Sequence, residues 1–339
     1  MKFGIFVFGD NPPDLGRSNQ QYYEEVLTLG EWAEELGFNS FWFGEHHFYW
    51  YGTCVSPPML IAALGQRTKK IRLGPAVSVL PLHHPLLIAE EYALADNLCG
   101  GRLNFAVGSG FSPVEYQTFG MSMEEARDRY WEAFELIIKA WRDEEFSHRG
   151  KYYQLENASL YMKPLQRPLP PTWIAASSDQ TLVRSGELGF PIMGIPFARS
   201  GSLLEVKQKN DLFMAAYQRA GHPGDPEIIV ALHVLLHESE RAAVTAARPC
   251  FERVVDYLKK YRRPGSKVPD LETIKREQLA IFGTPENACA VLEAYKKIGV
   301  GHVICMVNFG GVPLPEVRRT LELMATQVFP RFREINNRG

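Results

Sequence analysis

The sequence has few of the features that mark a secreted or membrane-spanning protein. Its five cysteines are scattered, odd in number and never spaced as Cys-x-x-Cys, which argues against a disulfide framework or a cysteine zinc site. No stretch approaches 18 consecutive apolar residues, and the first apolar run, residues 3–8, is too short for the core of a signal peptide. We therefore expect a cytoplasmic protein with reduced thiols and no membrane segment.

An excess of charge of either sign is missing as well. Lys and Arg number 37 against 39 Asp and Glu, so the formal net charge is −2. Nucleic-acid binders usually carry a basic excess or a basic stripe, so we do not expect nucleic acid as a partner. What the chain does have is apolar material: 45% of its 339 residues are hydrophobic and 12% are aromatic. This is enough for a large core, and the aromatic share is typical of a protein with flat apolar cavities.

Short β-rich runs alternate with helix-like segments along the whole chain. The eight strand candidates are residues 3–8, 39–43, 71–79, 103–108, 172–176, 190–195, 227–236 and 302–307. Eight strand–helix units are the count of a (β/α)8 TIM barrel, although a doubly wound sheet shows the same alternation. We predict an α/β protein with one barrel domain over residues 1–339, because no stretch changes composition and a helix still follows the eighth strand.

Two segments interrupt the alternation and are predicted to be insertions in the barrel. Residues 146–170 combine alternating aromatics, a Gly turn and a proline-rich end, which predicts a hairpin followed by an extended run into the fifth strand. Residues 262–283 form the longest polar stretch and are a candidate lid.

The active site of a parallel barrel lies at the C-terminal ends of its strands, so the polar residues after each strand are the candidates for chemistry. The sharpest group is Glu45-His46-His47 after the second strand. Its histidine can serve as a general base with a carboxylate fixing the tautomer, or belong to a buried hydrogen-bonded pair. Since adjacent residues of an extended segment point to opposite faces, His46 and His47 are poorly placed to share one ion, and we predict no metal site.

Two further groups suggest a phosphorylated ligand. Ser177-Ser178-x-x-Thr181 begins a helix after the fifth strand, where hydroxyls and free N–H groups either bind an anion or cap the helix. Gly108 and Ser109 follow the fourth strand and would let a flat or phosphorylated ligand approach the backbone. The Gly-x-Gly-x-x-Gly fingerprint of dinucleotide-binding folds is absent from this position.

Several segments in the right order resemble the bacterial luciferase-like flavin-dependent monooxygenase family over nearly the whole chain. They are GFNSFWFGEHHF, IRLGPAVSVLPLHHPLLIAEEYALADNLCGGRLNFAVGSG, PTWIAASSDQT and GTPENACAVLEAYKKIGVGHVICMVNFGGVP. The resemblance implies a TIM-barrel enzyme that takes reduced FMN from a separate flavin reductase, activates O2 as a flavin peroxide and oxygenates a small organic substrate. It also implies a homodimer formed through the helices near 57–68 and 85–98.

The resemblance assigns roles to individual positions. His46 matches the catalytic histidine, and Glu45, which begins the same motif, is predicted to be catalytic with it. Arg127 matches an arginine that pairs with the flavin phosphate. The other cofactor positions implied are the cis peptide Ala76–Val77 against the ring, the small Ala175 below it, and Ser177, Ser178 and Thr181 at the phosphate, with Ser177 standing where luciferase has an acid.

The chain departs from luciferase just after the fourth strand, where Gly108 and Ser109 replace a cysteine and an arginine. This implies more space beside the reactive flavin edge and weaker phosphate binding, and we do not infer light emission. The candidate substrate pocket is aromatic, which predicts a hydrophobic or aromatic substrate, although ordinary packing is the alternative for these rings. Its members are Phe8, Phe48, Trp50, Tyr51, Phe111, Phe197 and Phe309.

Two alternatives stay open. A deazaflavin-dependent dehydrogenase on the same fold would move hydride without O2, and both cofactors carry a phosphate and a tricyclic ring. A non-catalytic flavin-binding protein is the second alternative. The presence of His46 and Arg127 argues against it.

Overall fold

The computed structural model describes residues 1–261 and 268–332, and its main sheet is parallel. The strands are β1 (Lys2–Val7), β2 (Ser40–Phe43), β3 (Arg72–Pro75), β4 (Ser78–Val79), β5 (Phe105–Gly108), β6 (Phe146–Arg149), β7 (Gln154–Ala158), β8 (Thr172–Ala175), β9 (Ile192–Gly194), β10 (Ile228–Leu236), β11 (Ala280–Gly283) and β12 (Val300–Met306).

The sheet closes into a barrel. Its strand order is β3-β2-β1-β12-β10-β9-β8-β5-β4, and the two ends of this path, β3 and β4, belong to one segment that is interrupted at Ala76–Val77. A parallel bridge between Leu73 and Leu103 completes the closure. Counting β3 and β4 as one strand gives the eight predicted positions, so the predicted (β/α)8 barrel is confirmed.

Helices surround the barrel. They are α1 (Asn19–Glu35), α2 (Pro57–Arg67), α3 (Pro85–Leu98), α4 (Pro113–Thr118), α5 (Ala126–Arg142), α6 (Asp179–Leu188), α7 (Pro196–Arg199), α8 (Leu203–Arg219), α9 (Glu240–Tyr261), α10 (Leu271–Arg276), α11 (Pro285–Lys297), α12 (Leu314–Leu323) and α13 (Phe329–Phe332). Local sequence sets where many of them begin; Thr284 and Asn287, for example, form a capping box at the start of α11, with Pro285 at its first position.

The strands are buried on both faces because the helices cover the outside of the barrel and side chains fill the inside. All nine residues of β10 are buried, and apart from His233 its sequence IIVALHVLL is the apolar run expected of such a strand. The five cysteines are free and buried, as the scattered pattern predicts. Among the described residues, no helix combines the length and the apolar character needed to cross a bilayer.

The segments expected to be insertions contain regular structure. Residues 146–170 include the antiparallel hairpin of β6 and β7, as the Gly turn predicts. The insertion predicted at 262–283 is too long at its C-terminal end. Residues 280–283 form β11, which pairs with the second half of β10. Its sequence Ala-Ile-Phe-Gly is apolar but short. Residues 262–267 lie outside the described part of the chain, so the lid hypothesis stays a prediction.

A buried carboxyl group joins the first and last strands at the C-terminal rim. Asp10 follows β1, and its Oδ2 accepts a hydrogen bond of 2.6 Å from the backbone N–H of Gly310, beyond β12. Its Oδ1 has no hydrogen-bond partner in the described part of the chain. Burial raises the pKa of Asp10 to about 7, and the Gly310 hydrogen bond and the charges of His46 and Arg17 oppose this rise only in part.

This shift predicts that Asp10 makes stability depend on pH. Between about pH 4 and pH 7 the folded chain holds the proton and the unfolded chain has lost it, so the free energy of unfolding falls as the pH rises. A shift of about three pKa units corresponds to at most about 4 kcal/mol. Asp10→Asn has no proton to lose, so its stability relative to wild type should rise by up to this amount from pH 4 to pH 8.

Urea denaturation of both proteins at the two pH values measures this difference. Asp225→Asn, at an exposed position, is the matched control and should change stability equally at both. An Asp10→Asn effect that is the same at pH 4 and pH 8 would contradict the prediction.

Candidate active site

A cleft open to solvent lies at the C-terminal ends of the barrel strands. It brings together many of the residues that the sequence predicted for the site: Phe8, Glu45, His46, Ala76, Val77, Gly108, Ser109, Phe111, Ala175 and Ser177. The rest of its lining is Phe6, Val79, Gly110, Ala176, Met193, Gly194, Ile195, Ala198 and Ala231. The wall is therefore mostly apolar and built from small side chains.

Small residues give the cleft a flat face at β4, β5 and β8. The Ala76–Val77 peptide bond is cis, as the resemblance implies. A Cβ atom placed on Gly108 would lie 2.7 Å from Val77 Cγ2 and 3.4 Å from Ala175 Cβ. The absence of a side chain at Gly108 thus lets Val77 reach over β5. The space that the resemblance predicts at position 108 is partly occupied by Val77.

The imidazole of His46 is held from three sides. Phe8 stacks on it with ring centroids 4.5 Å apart, and Phe111 meets it edge-on at 5.4 Å. Its Nδ1 lies 2.8 Å from Oε1 of Glu115, which is buried in α4. Because an ionised carboxylate only accepts hydrogen bonds, Nδ1 carries the proton and Nε2 is the basic nitrogen of the neutral ring.

Glu115 is a candidate site residue that the sequence did not reveal. Ser112 caps α4 by accepting the N–H of Glu115, so the motif Ser112-Pro113-x-Glu115 does signal a helix start. Nothing local indicates that the carboxylate reaches His46, 69 residues away in sequence. Gly52 is a second such residue, because a Cβ atom there would lie only 2.1 Å from His46 Cβ. Both fix where the imidazole stands.

Glu45 has different partners from His46. Its Oε1 lies 2.5 Å from Nε2 of His83 and 3.3 Å from Nε2 of His47, and its Oε2 accepts the N–H of Val79 at 2.9 Å. Burial alone would raise the pKa of Glu45, but the hydrogen bonds from the two histidines and Val79 and the charge of His83 lower it to about 2. Glu45 is therefore an ionised carboxylate that accepts hydrogen bonds, and the carboxylate that contacts His46 is Glu115.

The start of α6 collects the residues expected at a phosphate. Ser178 Oγ caps the helix by accepting the N–H of Thr181 at 3.3 Å and lies 2.9 Å from Thr181 Oγ1. Arg127 on α5 donates to Gln180 Oε1 at 2.6 Å, which brings its guanidinium to the same helix start. Ser177 lines the apolar cleft as well, so the two regions are continuous. Capping and anion binding are compatible here, since several donors converge.

The predicted substrate-pocket aromatics divide into separate groups. Phe8 and Phe111 line the cleft. Phe48 is 54% exposed and contacts Phe119, while Trp50 and Tyr51 pack against Tyr257 of α9.

Phe197 and Phe309 were also predicted for the pocket, and the structure places them in a buried cluster. They meet the ring of His233 edge-on, at 5.0 Å each. Burial in this apolar cluster lowers the pKa of His233 to about 3, so its ring is neutral. These two rings serve packing between the barrel and the helices.

Comparison with known proteins identifies the family of the chain. The family model described as luciferase-like monooxygenase matches residues 1–302. The oxygenase component of the flavin-dependent trigonelline monooxygenase of Acinetobacter baylyi is 26% identical, over 98% of this chain and 96% of that protein.

Solved structures share the architecture. The monooxygenase RslO1 from Streptomyces bottropensis superposes with a TM-score of 0.91 at 28% identity, covering 98% of this chain and all of the other. An F420-dependent secondary alcohol dehydrogenase, solved with an F420-acetone adduct, has a TM-score of 0.80 at 20% identity over 98% of this chain and 99% of its own, and so shares the fold alone. From its barrel, its rim residues and the match over most of its length, the chain belongs to the luciferase-like monooxygenase family.

Proposed function

We propose that this chain is the oxygenase of a two-component enzyme. It would bind reduced FMN delivered by a separate flavin reductase and use O2 to oxygenate a small hydrophobic or aromatic substrate. The observation that carries this proposal is the continuity of an apolar slot beside His46 with a cluster of anion-binding groups at the start of α6. That a relative in Acinetobacter is named as an oxygenase component supports the two-component part.

The residues present fit a flavin. The slot between Val77, Gly108 and Ala175 is flat and apolar, as a tricyclic ring requires. The start of α6 offers backbone N–H groups and the hydroxyls of Ser177 and Thr181, and Arg127 adds a guanidinium. These are the donors that a phosphate monoester needs. When bound in reduced form, FMN supplies the two electrons with which O2 is activated.

The protein's own contribution is to hold a proton and exclude water. Nδ1 of His46 contacts Glu115, so Nε2 points away from that carboxylate. Nε2 can therefore give or take a proton within the cleft. The carboxylate of Glu115, buried in α4, lies 2.8 Å from Nδ1 of His46 and so fixes which ring nitrogen faces the cleft. Phe8 and Phe111 cover the ring on two sides and keep water from it.

The comparisons and the Glu45-His46-His47 motif together favour FMN over a deazaflavin. The relative named as flavin-dependent is 26% identical, whereas the F420-dependent enzyme, at 20%, supports only the fold. A deazaflavin-dependent hydride transfer is the second candidate. Anaerobic titration of the protein with reduced FMN and with reduced deazaflavin distinguishes them by which ligand binds more tightly.

We predict that His46 slows the wasteful release of hydrogen peroxide from reduced FMN and O2. His46→Ala should bind reduced FMN within about threefold of wild type but release peroxide on the order of 10²-fold faster, the usual size of a lost proton-transfer group. Glu115→Gln keeps the shape, removes the charge and should act in the same direction. A stopped-flow peroxide assay measures the rate.

His84→Ala is the control, since His84 caps α3 through the N–H of Leu86 and should leave the rate unchanged. Equal peroxide release from wild type and His46→Ala would contradict the assigned role. Tighter binding of reduced deazaflavin, with hydride transfer and no oxygenation, would overturn the proposed function.

Gly108 should be required for flavin binding. Its substitution by Ala puts a methyl group 2.7 Å from Val77 Cγ2, so Val77 must turn into the slot. We expect Gly108→Ala to weaken reduced FMN binding about tenfold or more, which is about 1.4 kcal/mol. Gly194 lines the same cleft, but a Cβ atom there would meet only one atom, at 4.0 Å. Gly194→Ala should therefore change binding less than threefold. If Gly108→Ala and Gly194→Ala weaken reduced FMN binding equally in anaerobic titrations, the proposed flavin slot is wrong.

We also propose that the chain forms a homodimer through α2 and α3. Both helices present large apolar side chains to solvent, among them Met59, 72% exposed, and Leu87, 51% exposed. Neighbouring exposed apolar residues of this kind mark interaction surfaces.

Charging this face should therefore separate the subunits. We expect wild type to have twice the 38.4 kDa chain mass in light scattering, and Met59→Glu/Leu87→Glu to have the mass of one chain. Leu204→Glu on α8, at a position 63% exposed, is the control and should remain dimeric. A wild-type monomer, or a dimer that survives the double substitution, would refute the interface.

A further inference from the structure

A second polar cluster, formed by Glu45, His47 and His83, lies at the edge of the cleft, and its member Glu45 also lines the cleft. The first two follow β2, and His83 follows β4. One ligand atom of each, a carboxylate oxygen and two imidazole nitrogens, lies within 4.8 Å of the others. Glu45 and His47 are buried, and His83 is partly exposed. Two imidazoles and one carboxylate are donors that borderline divalent cations bind well.

We propose that Glu45, His47 and His83 bind one divalent cation of the Zn2+ type, with water in an open position on the His83 side. This proposal does not depend on the flavin. Adjacent residues of an extended segment point apart, so His46 and His47 are not expected to share one ion. The structure agrees that they do not, since His46 contacts Glu115 and His47 contacts Glu45; His83 supplies the missing ligand from another loop.

The distances fit such an ion after a small adjustment. Zinc bonds to nitrogen and oxygen of about 2.0–2.2 Å put neighbouring ligand atoms about 3.4 Å apart in a tetrahedron. The nitrogen of His47 is already 3.3 Å from Glu45 Oε1, and that of His83 is at 2.5 Å. His83 thus has to move back by about 1 Å, and its side chain, 25% exposed, has room to do so.

The surroundings of Glu45, His47 and His83 favour one bound cation over two N–H groups on the histidines. Both histidine nitrogens contact the same oxygen of Glu45, so one cation would replace two N–H donors that compete for it. Glu45 is anchored through its other oxygen by the N–H of Val79, as ligands usually are by an outer hydrogen bond. The carboxylate of Glu91 on α3 adds negative charge near His83.

The ion would join two parts of the rim. One is the loop after β2 that carries His46, and the other is the segment from Val79 to His83. Binding to the folded chain alone stabilises it in proportion to the logarithm of the metal concentration. We therefore expect the ion to raise stability and to order this part of the rim.

Titration with Co2+ tests the site, because the visible absorption of bound Co2+ reports its coordination number and geometry. Chelator-treated protein without a polyhistidine tag should bind one Co2+ per chain, and Zn2+ should displace it. His83→Ala should weaken binding at least tenfold, and so should Glu45→Gln. His84→Ala and His46→Ala are matched controls, next to the site in sequence but outside it, and should bind as wild type does.

Melting temperature gives a second readout that needs no activity. Zn2+ should raise it for wild type and His84→Ala and leave it unchanged for His83→Ala. Circular dichroism establishes that each variant is folded, and His83, the partly exposed member, is the position at which Ala disturbs packing least. Absence of stoichiometric Co2+ binding to folded wild type, or equal affinity in His83→Ala, would overturn the proposal.

Discussion

One buried carboxylate organises the rim of this barrel. Oε1 of Glu115 lies 2.8 Å from Nδ1 of His46 and also accepts the backbone N–H of His47 at 3.0 Å. A single oxygen thus fixes the ring of one residue and the backbone of the next. Because consecutive side chains of an extended segment point apart, His46 is directed to the apolar cleft and His47 to Glu45 and His83. Two neighbouring histidines thereby make separate sets of contacts.

The sequence predicts features set by residues close together in the chain, and it does not predict contacts between residues far apart in it. Apolar runs and helix starts are local, so the eight strands, the hairpin and the rim position of Glu45-His46-His47 follow from them. The contact between His46 and Glu115 is not local. It requires α4, a helix of six residues that lies between two clear elements and carries too little periodicity to be seen. β11 was missed for the same reason, since four residues do not define a period.

The aromatic residues show a different limit. Phe8, Phe111, Phe197 and Phe309 all follow strands of the barrel, and their sequence context does not separate them. Two line the cleft and two surround His233. The choice depends on which side chains come from outside the barrel, here Phe251 of α9 against His233. Composition thus predicts apolar cavities, and tertiary packing decides which rings border one.

The positions of the apolar and charged residues around the cleft limit which ligands it can bind. Its wall is apolar around Gly108 and Ala175, and within the described residues no Lys or Arg lines it. The nearest group of donors is at the start of α6, where Arg127 contacts Gln180. A ligand that fills both regions must be flat and uncharged at one end and anionic at the other. An anionic group would find no Lys or Arg in this wall and would face the ionised carboxylate of Glu45, which also lines it. The wall around Gly108 and Ala175 therefore favours a neutral apolar group over an anionic one.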